Sequence, residues 1–328
     1  MKKNVAIIAG GDSSEFEVSL RSAENLYSFI DKERYNVYKV ILTKDSWKTA
    51  PSNSPEGGGS EEIDKNTFSF RQDNVTVKID FAYITIHGTP GEDGRLQGYF
   101  DMLGIPFSTC GVLTSALTFN KYICNQFLKG MGITVADSML FRKGQPVDPE
   151  KIVDVLGLPV FVKPNEGGSS FGITKVTEPS QMLAAVDKAF DESHEVIVER
   201  FIPGIELTCG CYQSGNRFIV FPVTEVVPDN EFFDYGAKYN GESQEITPAR
   251  ISTGLTNLIQ RETKKIYHLI GAKGIIRIDY IVTSDEIPVL LEVNTTPGMT
   301  VASFIPQQVQ AAGLNMTDIM TDIIENNG

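Results

Sequence analysis

Two apolar segments near the C-terminal end of the chain carry polar side chains at alternating positions. Arg277 and Asp279 interrupt the first segment, and Glu292 and Asn294 interrupt the second. Residues two apart on a β-strand point to the same face of the sheet. A hairpin with a two-residue turn at 285–286 would place Asp279 opposite Glu292 and Arg277 opposite Asn294. The sequence therefore predicts four polar groups that converge on one face of a sheet.

Two neighbouring carboxylates on a buried face are unfavourable unless cations compensate them. Mg²⁺ prefers oxygen ligands from carboxylates, carbonyls and phosphates. Asp279, Glu292 and Asn294 are therefore candidate metal ligands, and Arg277 adds a fixed positive charge. The alternative is an arginine–carboxylate network that only holds the hairpin together. The turn that follows favours a catalytic metal site over a structural hairpin. Gly298 offers a backbone N–H of the kind that stabilises an oxyanion during a reaction.

A lysine and a glycine-rich segment occur together in the middle of the chain. Lys163 lies at the end of an apolar strand, and the sequence Glu-Gly-Gly-Ser-Ser-Phe-Gly follows at 166–172. Glycines allow backbone N–H groups to approach a phosphate closely. The segment is neither a Walker loop nor a dinucleotide fingerprint. Alone it is equally compatible with a plain turn, but together with the carboxylate pair it favours a nucleotide site.

The overall composition argues against several classes of protein. The formal net charge is −13, and no basic stripe offsets it, so nucleic-acid binding is not expected. No run reaches the ~18 apolar residues of a membrane helix, and the apolar segment at 5–9 is too short for a signal peptide. We therefore expect a cytoplasmic protein. The four cysteines, Cys110, Cys124, Cys209 and Cys211, are not expected to bind zinc. Cys209 and Cys211 alternate along an apolar stretch and are predicted to be small buried hydrophobes on one face of a strand.

The order of apolar segments predicts an α/β fold. The opening predicts a βαβ unit, with a strand at 5–9, a helix from Ser14 and a strand at 35–42. Further predicted elements are a strand at 79–86, one helix at 115–129, a strand from 159, a helix at 179–190, a strand at 196–201, a helix at 255–270 and strands at 275–283 and 287–294. Residues 51–62 are predicted to form an exposed loop. The polar stretch 228–248 has no helical or strand period, and a loop of this length is usually functional or disordered.

Taken in order, these motifs resemble those of the ATP-grasp superfamily and, within it, the D-alanine–D-alanine ligases. The resemblance covers nearly the whole chain. The matching segments are Gly-Gly-Asp-Ser-Ser-Glu-Phe-Glu-Val-Ser at 10–19, His-Gly-Thr-Pro-Gly-Glu-Asp-Gly at 87–94, Val-Lys-Pro at 162–164 with its Gly/Ser loop, Phe-Asp-Tyr-Gly-Ala-Lys-Tyr at 233–239, Arg-Ile-Asp at 277–279 and Glu-Val-Asn-Thr-Thr-Pro-Gly-Met at 292–299.

The resemblance implies a three-domain ATP-grasp architecture. An N-terminal parallel-sheet, Rossmann-like domain that binds substrate is expected at 1–118, a central ATP-grasp domain at 119–211 and a C-terminal catalytic domain at 212–328. The implied reaction uses ATP and two Mg²⁺ ions, or Mn²⁺, to phosphorylate one D-alanine, whose acylphosphate then reacts with the amine of a second D-alanine. A homodimer formed through the N-terminal domain is also expected.

The resemblance also implies roles for individual residues. The first D-alanine would be bound by Glu15 and His87, and Ser169 and Tyr239 would link with Glu15 to close the site. ATP would be bound by Lys121, Lys163, Lys238, Ser170, Glu199, Arg200, Phe201, Ile202 and Glu206. The metals would be held by Asp279, Glu292 and Asn294. Arg277 and Gly298 would stabilise the oxyanion, Ser303 would bind the second D-alanine, and 228–248 would be an omega loop that covers the site.

Alternatives to these roles remain at this stage. From the residues alone, Glu15 is better explained as a carboxylate at a helix start, favoured by the helix dipole, and His87 as a structural histidine. Related ligases use D-lactate or D-serine as the second substrate. The chain also departs from the family pattern, with Asn120 where Asp is frequent and Gly167-Gly168 where Glu-Gly is frequent. Another ATP-grasp ligase or a non-catalytic nucleotide-binding protein fits fewer of the motifs.

Overall fold

The computed structural model describes residues 2–50, 60–168, 172–228 and 243–326. Four predicted site residues lie outside these ranges: Ser169, Ser170, Lys238 and Tyr239. Residues 51–59 of the predicted loop at 51–62 and residues 229–242 of the stretch 228–248 also lie outside the described ranges.

The N-terminal part forms the predicted βαβ unit. Its four-stranded sheet has the order β3-β2-β1-β6, and β1 runs parallel to both β2 and β6. The elements are β1 (Lys3–Gly10), α1 (Phe16–Phe29), β2 (Tyr35–Leu42), β3 (Trp47–Thr49), β4 (Ser69–Gln72), β5 (Val75–Lys78), β6 (Phe81–Ile84), α2 (Arg95–Leu103) and α3 (Val112–Phe119). Strand β1 is buried on both faces from Val5 onward, which explains its continuous apolar run.

The single helix predicted at 115–129 is wrong, because the chain forms two helices there. Helix α3 ends at Phe119, and α4 (Lys121–Gly130) begins one residue later. Asn120 between them is extended, and its side-chain oxygen accepts a hydrogen bond from the Ile123 N–H. An asparagine in this conformation is a favourable N-cap, so it starts a new helix instead of continuing the old one.

The middle of the chain forms a second four-stranded sheet, in the order β7-β10-β8-β9, with every pair antiparallel. Its elements are β7 (Ser138–Arg142), α5 (Pro149–Leu156), β8 (Val160–Pro164), β9 (Thr174–Val176), α6 (Met182–Phe190) and β10 (Glu195–Arg200). A 3₁₀ turn, Pro179–Gln181, precedes α6, so the predicted helix at 179–190 is present with a tighter first turn. This sheet and its two helices have a hydrophobic core of their own.

The remaining strands form a six-stranded sheet in the order β14-β13-β11-β15-β16, with β12 also paired to β11. The elements are β11 (Ile205–Ser214), β12 (Arg217–Val220), β13 (Thr224–Pro228), β14 (Ser243–Ile246), α7 (Thr253–Leu269), β15 (Ile276–Val282), β16 (Pro288–Asn294), α8 (Phe304–Ala311) and α9 (Met316–Asn326). The stretch 228–248 was predicted to lack strands, and this is wrong at its ends. Strand β14 pairs antiparallel with β13 at the edge of the sheet, so the two ends of this stretch lie side by side.

The two ends of the chain share a hydrophobic core. Residues of β1 and α1 pack in one cluster with Met299 and with apolar residues of α8 and α9. Glu325 near the end of α9 accepts a hydrogen bond from the Tyr35 hydroxyl at 2.7 Å. The N-terminal sheet is therefore held against the C-terminal helices. The predicted domain limits at 118 and 211 stay predictions.

Cys209 and Cys211 are buried, as predicted, and Cys110 and Cys124 are buried as well. All four are free and belong to the core cluster behind the six-stranded sheet. Burial raises the pKa of the Cys110, Cys124 and Cys209 thiols to about 12, which makes them poor nucleophiles. Within the described ranges, none of the helices combines the length and the apolar character needed to cross a membrane.

Candidate active site

The hairpin of β15 and β16 has the predicted pairing at its polar end. Asp279 lies opposite Glu292, and Arg277 lies opposite Asn294. The predicted two-residue turn is wrong, however. The Thr283 N–H donates to the Ile287 carbonyl at 3.1 Å, so three residues form the turn.

A β-bulge at Leu291 restores the predicted pairing. Leu290 lies opposite Tyr280, and both are buried in the core behind the sheet, whereas Glu292 lies opposite Asp279. In a regular strand Leu290 and Glu292 would share a face, because they are two residues apart. The extra residue separates them onto opposite faces, an effect expected of a bulge. The bulge therefore directs the Glu292 carboxylate away from the core and toward Asp279.

Arg277 connects the two carboxylates. Its Nε donates to Asp279 Oδ1 at 2.9 Å, and its Nη2 donates to Asp279 Oδ2 at 2.7 Å. The same Nη2 lies 3.5 Å from Glu292 Oε1. Burial is the largest single effect and lowers the pKa of Arg277, but the charge and hydrogen bonds of Asp279, together with the charges of Glu292 and Glu206, outweigh it, so the net shift of this pKa is upward. The guanidinium therefore remains charged and compensates the buried Asp279 and the partly exposed Glu292.

Thr208 is a site residue that the sequence analysis missed. It lies opposite Asp279 on the neighbouring strand β11 and is 1% exposed. Its Oγ1 donates to Asp279 Oδ1 at 2.5 Å. Thr208 follows Glu206 by two residues, and both line the same cavity. The alternation of side chains along β11 could have identified it, once Glu206 was assigned to the site.

A cavity of about 370 Å³ is lined by both the middle sheet and the six-stranded sheet, a size typical of small-molecule sites. Predicted site residues line much of it: Lys121, Lys163, Glu199, Arg200, Phe201, Ile202, Glu206, Arg277, Asp279 and Glu292. Apolar walls come from Phe161, Val226, Val289 and Leu291. We call this the nucleotide cavity. Its combination of apolar walls with lysines, an arginine and carboxylates suits a nucleotide.

Lys163 and Glu199 form a buried ion pair in the nucleotide cavity. Lys163 Nζ donates to Glu199 Oε2 at 2.7 Å. Asn125 also donates to Glu199 Oε1, at 3.4 Å. The Arg200 side chain instead contacts the Val155 carbonyl at 3.2 Å, on the outside of the sheet. The structure therefore brings Lys163 and Glu199 together and directs the Arg200 guanidinium away from them.

A second cavity, of about 50 Å³, contains the substrate residues predicted from the N-terminal motifs. Glu15, His87 and Asn294 line it, together with Glu92. Glu15 lies directly before α1, and His87 follows β6. A side chain at Gly168 would meet Glu15 Oε2 at 2.7 Å, so the backbone at Gly168 lies close to this carboxylate. We call this small space the acid pocket.

Glu92 is a second carboxyl group in the acid pocket that the sequence analysis did not select. Its Oε2 accepts a hydrogen bond from the Gly88 N–H at 2.7 Å. Burial and, next, the charge of Glu15 raise the pKa of Glu92 to about 8. Two carboxylates in one pocket cannot both ionise freely. The acid pocket therefore favours the protonated form of Glu92.

This raised pKa predicts a pH-dependent contribution to stability. The native state keeps a proton on Glu92 that the unfolded chain releases above the ordinary pKa of 4.5. The stabilisation is therefore full below pH 4.5 and is lost as the pH rises to about 8. We expect Glu92→Gln to be progressively more stable than the wild type across this interval, measured as the difference in Tm without ligands. Glu17→Gln, an exposed change on α1, should show no such trend. A Glu92→Gln difference that is constant with pH would contradict the assignment.

Lys121 and Glu292 mark the junction of the cavities. Both line the nucleotide cavity, the acid pocket and a third cavity of about 600 Å³ beside Gly167 and Gly168. Lys121 Nζ donates to the Gly167 carbonyl at 2.5 Å. Burial lowers the pKa of Lys121, and the charge of Glu292 opposes this shift. The nucleotide cavity and the acid pocket therefore meet at these two residues.

Gly298 and Ser303 lie together on the turn after β16. A side chain at Gly298 would meet Ser303 Oγ at 2.8 Å. Ser303 Oγ also accepts a hydrogen bond from the Thr300 N–H at 3.0 Å. Arg277 lies 5.2 Å from the ring of Phe304, the residue after Ser303. The turn is therefore close to Arg277, although neither Gly298 nor Ser303 is among the described lining residues of the three cavities.

The side chains at the hairpin fit a hard metal ion. Asp279, Glu292 and Asn294 supply oxygen donors on one face, and Asn294 Oδ1 is held by the Thr296 N–H at 3.0 Å. Magnesium usually binds through one or two carboxylates plus phosphate oxygens. No group of three or more His, Cys, Asp or Glu side chains that could hold a metal was found in the described part of the chain. A metal here would therefore need oxygens from a ligand to complete its coordination.

Two known protein families match this chain, and together they cover most of its length. The family described as "D-ala D-ala ligase N-terminus" matches residues 4–110, and the family described as "D-ala D-ala ligase C-terminus" matches residues 127–325. The second match alone covers more than half of the chain.

Individual relatives agree with the family matches. The D-alanine–D-alanine ligase of Parabacteroides distasonis is 62% identical over 99% of this chain and 98% of its own length. The VanG D-Ala:D-Ser ligase of Enterococcus faecalis superposes with a TM-score of 0.88 at 32% identity, over 99% of each chain. The Bacillus anthracis D-alanine–D-alanine ligase complexed with ATP superposes with a TM-score of 0.78 at 28% identity, over 99% of this chain and 97% of its own. These matches confirm the α/β, ATP-grasp prediction, and the chain belongs to the D-alanine–D-alanine ligase family.

Proposed function

We propose that this chain joins two D-alanines into D-alanyl-D-alanine at the expense of ATP, in the cytoplasm, for peptidoglycan precursor synthesis. The observation that carries the proposal is the junction at Lys121 and Glu292, where the nucleotide cavity meets the acid pocket. A carboxylate bound beside Glu15 would there reach the terminal phosphate of a nucleotide bound beside Lys163. This is the arrangement that activation of an acid by ATP requires.

The reaction would proceed in two steps. A carboxylate oxygen of the first D-alanine attacks the γ-phosphorus of ATP, which forms D-alanyl phosphate and releases ADP. The neutral amine of the second D-alanine then attacks the acyl carbon, the C–O bond to phosphate breaks, and phosphate and a proton are released. Holding the reactants in line at a shared junction provides much of the acceleration in such reactions.

The N-terminal domain would bind the first D-alanine. The Glu15 carboxylate is suited to its ammonium group, and His87 lies in the same acid pocket. Ser169 and Tyr239, which lie outside the described residues, would link with Glu15 and close the site. The segment 228–248 would cover it, and excluding water protects an acylphosphate from hydrolysis.

ATP would occupy the nucleotide cavity. Lys121 and Lys163, with Lys238 and Ser170 outside the described residues, would contact its phosphates. Adenine would contact Glu199, Arg200, Phe201 and Ile202, and Glu206 would bind the ribose. Asp279, Glu292 and Asn294 would hold two Mg²⁺ ions, with Mn²⁺ as a substitute. When bound, the metal would neutralise charge on the phosphates.

Arg277, the Gly298 N–H and Ser303 would act on the second step. The guanidinium and the N–H would stabilise the oxyanion that forms when the amine attacks. Ser303 would bind the carboxylate of the second D-alanine. Proximity supports this assignment, because Arg277 lies against Phe304 and Gly298 lies against Ser303.

Thr208 is expected to support the metal ligand Asp279. Thr208→Val removes the hydroxyl at nearly constant volume and leaves Asp279 Oδ1 with the hydrogen bond from Arg277 alone. Partners of this kind usually contribute about 10–100-fold to metal affinity or activity, so we expect a loss of that size in turnover or in apparent Mg²⁺ affinity. Steady-state rates over a Mg²⁺ titration measure it. Thr208→Ser keeps the hydroxyl and is the matched control, and equal behaviour of the two variants would remove this role.

We also propose that the chain forms a homodimer through its N-terminal domain. Met102 on α2 and Leu113 on α3 are 82% and 81% exposed. Gly98, one helical turn before Met102, lies within contact distance of Val112, the neighbour of Leu113. Helices α2 and α3 are therefore neighbours, and a second copy of the chain could cover their exposed apolar residues. Light scattering on the purified protein tests this, and a monomer at micromolar concentration would contradict it.

The substrate proposal is tested by a coupled ADP-release assay with ATP and Mg²⁺. The candidate first and second substrates are D-alanine, L-alanine, D-serine and D-lactate. Mass spectrometry then identifies the product. We expect D-alanine alone to support full turnover and D-alanyl-D-alanine to form. A reaction without amino acid measures background ATP hydrolysis. Preference for D-lactate or D-serine as the second substrate near neutral pH would overturn the substrate assignment but not the ligase class.

A further inference from the structure

Helix α1 contacts the turn that carries Gly298. The Asn25 Nδ2 donates to the Met299 carbonyl at 2.5 Å, and the Met299 N–H donates to Ser22 Oγ at 3.3 Å. Both main-chain groups of one residue are therefore bound by side chains of α1. That residue directly follows Gly298. The contacts join parts of the chain that are 277 and 274 positions apart in sequence.

Apolar packing strengthens this contact. The Met299 side chain is buried in the core cluster that contains Ala23 and Leu26 of α1 and Ile305 of α8. The turn is therefore held by a side chain in the core as well as by two hydrogen bonds. It cannot shift along α1 without breaking all three interactions.

Helix α1 is itself fixed to the N-terminal sheet. The fully buried Ser19 accepts a hydrogen bond from the Gly10 N–H at 2.9 Å and donates to the Thr85 carbonyl at 2.7 Å. Residues spaced three and four apart lie along one side of a helix. Glu15, Ser19 and Ser22 therefore form one stripe, which runs from the acid pocket to the turn.

The helix sets the distance between the two ends of the stripe. With a rise of 1.5 Å per residue, Glu15 and Ser22 are separated by about 10 Å along the axis. Helices do not stretch appreciably, so α1 acts as a spacer between the acid pocket and the turn of Gly298. The contacts of Met299 fix the peptide that follows Gly298 and with it the Gly298 Cα, to which the nitrogen of the Gly298 N–H is directly bonded.

We propose that Ser22 and Asn25 are positioning residues that place the Gly298 N–H relative to the substrate bound at Glu15. This inference rests on the proposed function, since it uses the roles given there to Glu15 and Gly298. The step that depends on this placement is the attack of the amine on the acylphosphate. A displacement of about 1 Å far from the reacting atoms can cost 10²-fold in rate.

If this proposal is correct, variants of Asn25 should form D-alanyl phosphate but convert less of it into dipeptide. Formation of D-alanyl phosphate uses the nucleotide cavity and the acid pocket, which Asn25 does not line. A misplaced turn would slow the amine attack and leave the acylphosphate to be hydrolysed. ADP would then be released without dipeptide. A purely structural role for Asn25 would reduce both products equally.

The test compares Asn25→Ala and Asn25→Asp with the wild type. The aspartate is nearly isosteric, but it cannot donate to the Met299 carbonyl when ionised. We expect both variants to lower the kcat for dipeptide by about 10–100-fold. The KM for ATP should change less than about twofold, and the ratio of ADP to dipeptide should rise clearly above the wild-type value. Arg21→Ala, an exposed change on the same helix, is the control and should behave as the wild type.

The outcomes separate this inference from the proposed function. If the wild type forms D-alanyl-D-alanine and both Asn25 variants keep its kcat and its ADP-to-dipeptide ratio, only the positioning role is wrong. If both variants lower kcat at an unchanged ratio and with equal losses in thermal stability, Asn25 is structural and the inference is also wrong. If the wild type forms no dipeptide from D-alanine, the proposed function fails, and the inference fails with it.

Discussion

Arg277→Met is expected to lower the turnover number by about 10²–10³-fold, the usual cost of removing one donor to an oxyanion. The same variant should lose about 3–5 kcal/mol in the free energy of unfolding, because Asp279 would remain buried without its cation. The loss of stability follows from the bidentate contact of Arg277 with Asp279, and the loss of turnover follows from the proposed role of Arg277 at the oxyanion. Steady-state kinetics and denaturant unfolding measure them separately.

A second substitution distinguishes catalysis from stability. In the double variant Arg277→Met, Asp279→Asn, the buried charge is removed along with its partner, so most of the unfolding free energy should return. Turnover should not return, because the oxyanion donor is still absent and a proposed metal ligand has been weakened. Arg217→Met is the control, since its pair with Asp322 is largely exposed and such pairs contribute little. A folded Arg277→Met enzyme with nearly wild-type turnover would rule out the proposed role of Arg277.

Glu292→Gln is expected to lower turnover by about 10²-fold or more, because a proposed metal ligand loses its charge, and even the partners of metal ligands usually contribute about 10–100-fold. Glu292 is at the junction of all three cavities and faces Asp279 across the hairpin. The substitution keeps the shape and removes one charge. The rate should recover partly at high Mg²⁺ or with Mn²⁺, because added metal offsets a weaker site.

The measurement is the turnover rate over a titration of Mg²⁺ and then of Mn²⁺. Glu286→Gln provides a matched control, because Glu286 is exposed in the turn of the same hairpin and carries the same charge. It should leave the titration unchanged. If Glu292→Gln retained the wild-type rate at every Mg²⁺ concentration, the metal assignment would be wrong.

The hairpin illustrates what local pattern can and cannot predict. Alternation of polar and apolar residues correctly indicated that Arg277 and Asp279 share a face. It also led to the correct partners, Glu292 and Asn294, but through a two-residue turn and a regular strand. The structure has a longer turn and a bulge at Leu291. The turn is one residue longer than predicted, and the bulge adds one residue to the second strand, so the two errors cancel and the predicted pairs are correct. Counting residues along the sequence cannot reveal either feature.

The break between α3 and α4 has a similar origin. Apolar spacing favoured one helix through Asn120, because both helices bury residues with the same period. Asn120 is a good N-cap, but an asparagine within a helix is also common on an exposed face. The start of α4 positions Lys121 beside Gly167, so this local detail decides where one of the proposed phosphate contacts lies.

By itself the sequence determined the α/β class, the ordered motifs and, through them, the family, because strand and helix periods and short motifs are local properties. Only the tertiary structure revealed the junction at Lys121 and Glu292, the hydroxyl of Thr208 on Asp279 and the raised pKa of Glu92. It alone revealed the contact of α1 with Met299. Each of these depends on the distance between residues far apart in the chain, and that distance is set by packing of the whole fold.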